Sequence, residues 1–212
     1  MTHALSRQGW SVNRKRIQRL MAIMGLEAIY PKPNLSKANS EHRIYPYLLR
    51  NVPIERVNQV WGVDITYVPL KAGFAYLVAF IDWFSRFVLS FAVSPTLDHQ
   101  FCVCALKDAL QLGTAEITNS DQGTQFTSQP FIEALKSANI RISMDGRGRA
   151  LDNVFTERLW RTVKYEDIYL KDYETPRETL FGLREYFKFY NCRRPHQSLN
   201  YQTPAEVFYA SR

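Results

Sequence analysis

Between Val60 and Val93 three apolar, β-branched and aromatic runs follow one another almost without a break. They read as strands over Val60–Pro69, Phe74–Asp82 and Arg86–Val93, separated by the turn sequences PLKAG and DWFS. Connections this short join only antiparallel neighbours, so the segment must form a three-strand meander. After it the apolar period changes. Leu97–Leu112 reads as a helix with Phe101, Ala105, Leu106 and Ala109 on one side. Glu116–Ser120 reads as a short strand, Pro130–Ala138 as a helix and Arg141–Ser143 as a second short strand. Leu151–Glu166 and Pro176–Tyr190 read as the last two long helices. A meander followed by alternating helices and strands is an α/β layered fold with a mixed sheet. The 212 residues allow one sizeable core with a small appendage.

The appendage lies at the start. A short helix is expected over residues 2–9. A second one, capped by Ser11 or Asn13, runs to Met24 and stops at Gly25. Ile17, Leu20, Met21 and Met24 share one face, and Arg14, Lys15, Arg16 and Arg19 surround the rest. Such a pair is consistent with a helix-turn-helix whose cations contact phosphates; a basic hairpin that only packs on the next domain is the other reading. Pro31, Pro33 and Pro53 among polar residues mark 30–58 as an extended linker. Charge follows the same division. Residues 1–50 carry nine Lys and Arg against two acids, 51–140 five against eight, and 141–212 thirteen against ten. Basic ends around an acidic middle suit a protein that holds a polyanion around a cation-binding centre. A composition of 46% hydrophobic and 22% charged residues is that of a soluble globular protein. No apolar run approaches the roughly 20 residues of a membrane helix, and no signal peptide shows. Three cysteines cannot all pair; they read as ordinary buried thiols in a reduced, cytoplasmic setting.

Three acids require explanation. Asp64 interrupts a strand whose alternate positions Trp61, Val63, Ile65 and Tyr67 are apolar. It is either a structural residue bonded to a loop or a metal ligand. Asp121 follows the strand ending at Ser120, where ligands gather in α/β sheets; a turn cap is its alternative role. Glu157 lies in the amphipathic stretch LDNVFTERLWRTVKYE, with Asp152 or Asn153 placed to cap it. Asn153, Glu157, Arg161 and Lys164 fall on one expected face, and Phe155, Leu159, Thr162 and Val163 on the opposite, core-facing one. An ordinary solvated helix face would look similar. If the three acids converge, they offer the oxygen ligands that Mg²⁺ takes. Two such ions can activate an attacking oxygen and stabilise a leaving one in phosphodiester displacement. Lys164, with Arg161, is placed to neutralise a phosphate nearby.

Together WGVDITYV, NSDQGTQF and LDNVFTERLWRTVKYE resemble the catalytic core of DDE transposases, relatives of retroviral integrase. The likeness is to the second-frame product of the insertion-sequence-three family, and it covers nearly the whole chain. NRKRIQRLMAIMGL followed by AIYPKP resembles that family's helix-turn-helix-like segment and linker. FIDWFSR resembles its second-strand motif and YNCRRPHQSLNYQTPAEV its closing signature. The 35-residue gap between Asp121 and Glu157, and the basic Lys164 seven residues on, are family features. Asn119 stands where many relatives have His.

The resemblance implies a ribonuclease-H-like fold with a mixed five-stranded sheet flanked by helices. Residues 59–175 would form the catalytic core, 176–212 a C-terminal helix and basic tail completing it, and 1–29 a partial helix-turn-helix-like segment. It implies metal-dependent strand cleavage and strand transfer at insertion-element ends, with Asp64, Asp121 and Glu157 holding Mg²⁺ or Mn²⁺ as two ions. Lys164, Arg161, Asn153, Arg14, Lys15, Arg16 and Arg19 would contact DNA. Asp82 is expected to be structural or to support the ligands from behind, rather than to be a fourth ligand. Partners implied are DNA, further copies of the chain on that DNA, and a first-frame protein upstream. Met1 falls inside the family's helix-turn-helix region, as in a truncated piece, a late start or a decayed copy. Two rival functions follow: an inactive DNA-binding remnant, or a ribonuclease-H-like nuclease without strand transfer.

Overall fold

The computed structural model describes Thr2, Leu5 and residues 8–24, 44–146 and 153–210. The chain divides into two units, Met1–Asn39 and Ser40–Arg212. In the first, helix α1 spans Arg14–Ile23. Asn13 caps it: its Oδ1 accepts from Lys15 N–H at 2.9 Å. Ile17 is buried, whereas Leu20 and Met24 of the expected apolar face are exposed. Thr2 and Leu5 are helical, as expected; the rest of 2–7 and the Gly25 stop lie outside the described residues.

The second unit is built on a five-stranded sheet in the order β3-β2-β1-β4-β5. Strands β1 (Val60–Leu70), β2 (Gly73–Asp82) and β3 (Val88–Ser94) form the antiparallel meander, and β4 (Ile117–Ser120) and β5 (Arg141–Met144) add parallel to β1. The sheet is mixed for a simple reason. Two-to-five-residue turns reverse the chain between β1, β2 and β3. The long helical crossovers α2 (Gln100–Leu110) and α3 (Gln129–Ser137) return it to the starting edge in the same direction. Helix α4 spans Val154–Val163 and widens into a π-helical turn over Lys164–Ile168. Helix α5 (Pro176–Cys192) is capped by Thr175, whose side chain accepts from Glu178 N–H. A short helix α6 (Pro204–Ala210) closes the unit.

Strand alternation splits the core in two. Trp61, Val63, Val78 and Phe80 face α2 and α3, joined by Phe208 of α6, whose ring stacks on Phe87 at 4.5 Å. Val60, Val68, Leu77, Ala79 and Ile81 face α4 and α5, meeting Leu159, Trp160, Val163, Leu183 and Phe187. Asp64, one residue after Val63, therefore lies on the α4 side of the sheet.

Three expectations change. Residues 44–58, expected as linker, pack along the core: Leu49 is buried and Leu48 N–H donates to Ser143 Oγ at 3.0 Å. The buried stripe of α4 is Thr156, Leu159, Trp160 and Val163, which places Asn153 with the packed side; it is buried, not on an exposed face. Trp160 draws the helix round because its indole is the largest apolar surface on that side. Finally, Cys104 is exposed while Cys102 is buried, since two residues along a helix turn the side chain through about 200°.

Gly62 sets how closely α4 and the β2–β3 turn approach β1. A Cβ there would collide with Trp83 Nε1 and stand 2.7 Å from Thr156 Oγ1. We predict that Gly62→Ala lowers stability by about 1–3 kcal/mol in urea denaturation, the usual cost of overpacking.

Candidate active site

The parallel register aligns the acids. Gly62 pairs with Asn119, and Asn119 with Ser143. Carried on two residues, the same rows set Asp64 beside Asp121 and Asp121 beside Asp145, all on one face. Neighbouring strands lie about 4.8 Å apart, so three carboxylates fall in one short line. Asp145, just past β5 as Asp121 is just past β4, was not anticipated from the sequence. The signal was available in its matching position after a parallel strand, but only the register reveals it.

Asp64 is the most constrained. Its Oδ2 accepts from Trp160 Nε1–H at 2.9 Å and its Oδ1 from Ile65 N–H at 2.8 Å. Burial pushes its carboxyl from the ordinary 3.8 up to about 6; the Trp160 bond opposes this, and the negative charges of Asp121 and Asp145 add to it. Asp121 is exposed, its Oδ1 accepting from Gly123 N–H at 2.9 Å, so it also holds the turn that the sequence reading considered. Asp145 accepts from Asn119 Nδ2–H at 2.7 Å, and Asn119 Oδ1 accepts from Ser143 Oγ at 2.8 Å. The Asn at position 119 thus ties β4 to β5 beneath the acids.

Glu157 is brought alongside but not into this line. It lies one turn before Trp160 on α4, at an exposed position. Among the described residues no three His, Cys, Asp or Glu side chains stand together closely enough to hold a metal ion. Arg161 is exposed and Lys164 half-buried; among the described residues neither forms an ion pair, nor does Glu157. Arg14, Lys15, Arg16 and Arg19 are exposed on α1 in the other unit. Asp82 is fully buried and structural: it accepts from Ser85 N–H and Oγ–H and from Asn58 N–H at 2.6–2.8 Å, organising the β2–β3 turn.

The donor chemistry fits a hard divalent cation. Asp64 and Asp121 offer oxygen only, and the charges acting most strongly on Asp64 are further carboxylates, an excess that a cation would relieve.

Comparison with known proteins bears on the family and the fold. The Integrase core domain family matches residues 54–150, a second Integrase core domain family matches 138–204, and an HTH-like domain matches 1–34. The transposase for insertion sequence element IS904 of Lactococcus lactis is 31% identical over 97% of this chain and 84% of its own length. The putative transposase InsK for element IS150 of Escherichia coli is 31% identical over 97% of this chain and 75% of its own. The transposase for IS629 of Shigella sonnei is 29% identical over 98% and 72%. Among solved structures, the HTLV-2 integrase catalytic core domain in complex with magnesium superposes with a TM-score of 0.60 at 22% identity, covering 74% of this chain and 99% of that one. A chain of the simian T-cell lymphotropic virus intasome in complex with the PP2A regulatory subunit B56 gamma gives 0.64 at 22% identity, over 82% and 62%. The fold is therefore ribonuclease-H-like. Among the described residues no helix is long and apolar enough to cross a membrane.

The raised Asp64 carboxyl makes a testable demand on the metal-free protein. A carboxyl that holds its proton more tightly in the folded than in the unfolded chain stabilises the fold below about pH 4 and loses that contribution as pH rises through about 6. Urea denaturation across this window is expected to show Asp64→Asn gaining on the parent by up to about 3 kcal/mol at neutral pH, with no gain at the acid end.

Proposed function

The chain belongs to the DDE transposases of insertion elements, and from that premise we propose that Asp64, Asp121 and Glu157 are its metal ligands and act together on DNA phosphodiesters. The activity of the family is transposition: metal-dependent cleavage and joining of DNA strands. The observation that carries the residue assignment is the placing of Asp64 on β1 and Asp121 just past the end of the adjacent parallel β4, with Asp64 half-buried and loaded with like charge.

Asp64 and Asp121 would hold Mg²⁺ or Mn²⁺, and Glu157 would complete the set for a second ion once α4 or its side chain turns inward. When bound, such ions make an attacking oxygen more nucleophilic and stabilise the leaving one. The protein's own groups do the rest. Trp160 fixes one oxygen of Asp64, so the carboxylate presents its remaining lone pairs in a single direction. Lys164 and Arg161, uncompensated on the flank of α4, hold the phosphates of the strand being cut. Water attacks at the element end and a strand with a 3′-hydroxyl is released. That hydroxyl then attacks a second phosphodiester, one P–O bond forming as another breaks, so joining needs no external energy source.

The cations Arg14, Lys15, Arg16 and Arg19 would grip flanking DNA through phosphates, with base recognition shared with a first-frame partner. Asn153, being buried, supports α4 more than it touches DNA. Several copies of the chain would assemble on paired ends in the cytoplasm.

Glu157→Gln and Asp121→Asn are each expected to reduce Mn²⁺-dependent nicking and joining of element-end DNA by about a hundredfold or more, since even groups behind a metal ligand cost 10–100-fold. Duplex binding in chelator should hold at the parent level. Retained joining by Glu157→Gln would remove that residue from the ligand set.

A further inference from the structure

On the other flank of α4 from Glu157 and Lys164 is a cavity of about 650 Å³, closed on its far side by α5 and the segment 194–201. Its size is that of a small-ligand site. Its walls are of two kinds. Val154, Leu159 and Pro195 supply apolar surface; Arg86, Arg158 and Arg194 supply three guanidinium groups; among the described residues no acid lines it.

The charge is only partly compensated. Arg194 is taken up by Glu166, which accepts from its Nε and Nη2 at 2.8 and 2.6 Å. Arg86 lies at the floor, its guanidinium 3.6 Å above the Phe155 ring and donating to Trp83 O. Burial pulls it down to about 10 and Arg158 pushes the same way, against the Tyr190 and Asp82 contributions. Arg158 is exposed and enters no ion pair among the described residues. His196 is held neutral: burial, then Arg194 and Arg86, lower it to about 4, with Glu166 opposing.

The rim carries an independent sign. Asn200 and Tyr201 both have left-handed backbone, with φ of 53° and 63°. For a bulky residue such as Tyr this is strained and persists only where the surroundings impose it, as at ligand sites. Here the Tyr201 N–H bond to His196 O, at 2.8 Å, closes the turn. The strain does not serve burial, because the Tyr201 side chain stays 70% exposed at the cavity mouth. An apolar slot, a strained exposed ring and surplus guanidinium groups match a flat base joined to a phosphate.

We propose that this cavity takes one unpaired nucleotide of the DNA strand that crosses α4, its base against Tyr201 and its phosphate on Arg158. The inference rests on the reading that the chain acts on DNA. Arg161 lies between the two flanks of α4, so Lys164, Arg161 and Arg158 form a cationic path over the helix. A helix about 10–12 Å wide with its side chains corresponds to roughly three nucleotide steps of 3.4 Å. The nucleotide so held is a few positions from the phosphodiester at the carboxylates, and holding it would keep the strand end frayed for attack.

The test is binding, made in chelator with the full chain carrying Asp64→Asn, so that failure of the chemistry leaves it intact. Fluorescence anisotropy compares a blunt duplex with the same duplex bearing a short single-stranded extension. The extension is expected to tighten binding about tenfold, within the range for stacking one base. Tyr201→Gly, which relaxes the backbone while removing the ring, and Arg158→Ala should each abolish most of that gain, read as the ratio of the two affinities, with Arg158→Ala also weakening both duplexes alike through the lost phosphate contact; Tyr201→Phe should keep it. Equal affinity for the two duplexes in the parent, or a gain that survives both Tyr201→Gly and Arg158→Ala, overturns the proposal. So does competition by inorganic phosphate as effective as that by deoxyadenosine monophosphate, which would mark a simple anion site. If Tyr201→Gly melts early, Arg158→Ala decides alone.

Discussion

The hydrogen bond from Trp160 to Asp64 joins the two parts of the site that chain connectivity keeps 96 residues apart. It matters because Asp64 is otherwise an unfavourable residue. A carboxylate in the middle of a strand, half-buried under a helix and facing the charge of two further acids, raises the energy of the folded state whenever it is ionised. The indole N–H offsets part of that cost. In doing so it fixes the rotation of α4 about its axis, so that Glu157 and Lys164 emerge on the side of the carboxylates while Phe155, Arg158 and Thr162 emerge on the other. Both the proposed cleavage centre and the nucleotide cavity are consequences of that one orientation.

The contact between α4 and the sheet is nonetheless not fully satisfied. Trp83 Nε1, Asn153 Oδ1 and Thr156 Oγ1 are buried without a hydrogen-bond partner among the described residues. Two of them, on Trp83 and Thr156, crowd the bare Cα of Gly62. Each such group costs about 1–3 kcal/mol relative to a paired one. A helix packed on a dry, fully paired surface would resist displacement. One packed over unpaired polar atoms has less to lose when it shifts, and the role proposed for Glu157 calls for such a shift or a rotamer change. The widening of the helix at Lys164, directly after α4, fits the same picture, since π-turns collect at functional sites.

Much of the fold was legible beforehand because its signals are local. Short turns between β-branched runs at Val60–Val93 enforce a meander, and the observed strands depart from the expected ends by at most two residues. Asn13 announced a helix start by side-chain chemistry that acts over two residues. What was not legible involves partners distant in sequence. The packing of Leu49 could not be read from a Pro-punctuated stretch. The burial of Asn153 and the role of Trp160 depend on which side of α4 meets the sheet, and an amphipathic stretch with Trp among cations leaves that angle open by a third of a turn. Asp145 gains its place only through the register of two parallel strands.

By itself the sequence determined the sheet's connectivity, the helix positions and the three acids and lysine whose order marks the family, because each depends on residue type and spacing along the chain. The tertiary structure alone decided that Asp145 extends the line of Asp64 and Asp121, that Trp160 holds the first of them and that Glu157 stands beside the line. It also made a cationic cavity from Arg86, Arg158 and Arg194. Those relations are distances through space, set by strand register and by the angle at which one helix settles on a sheet.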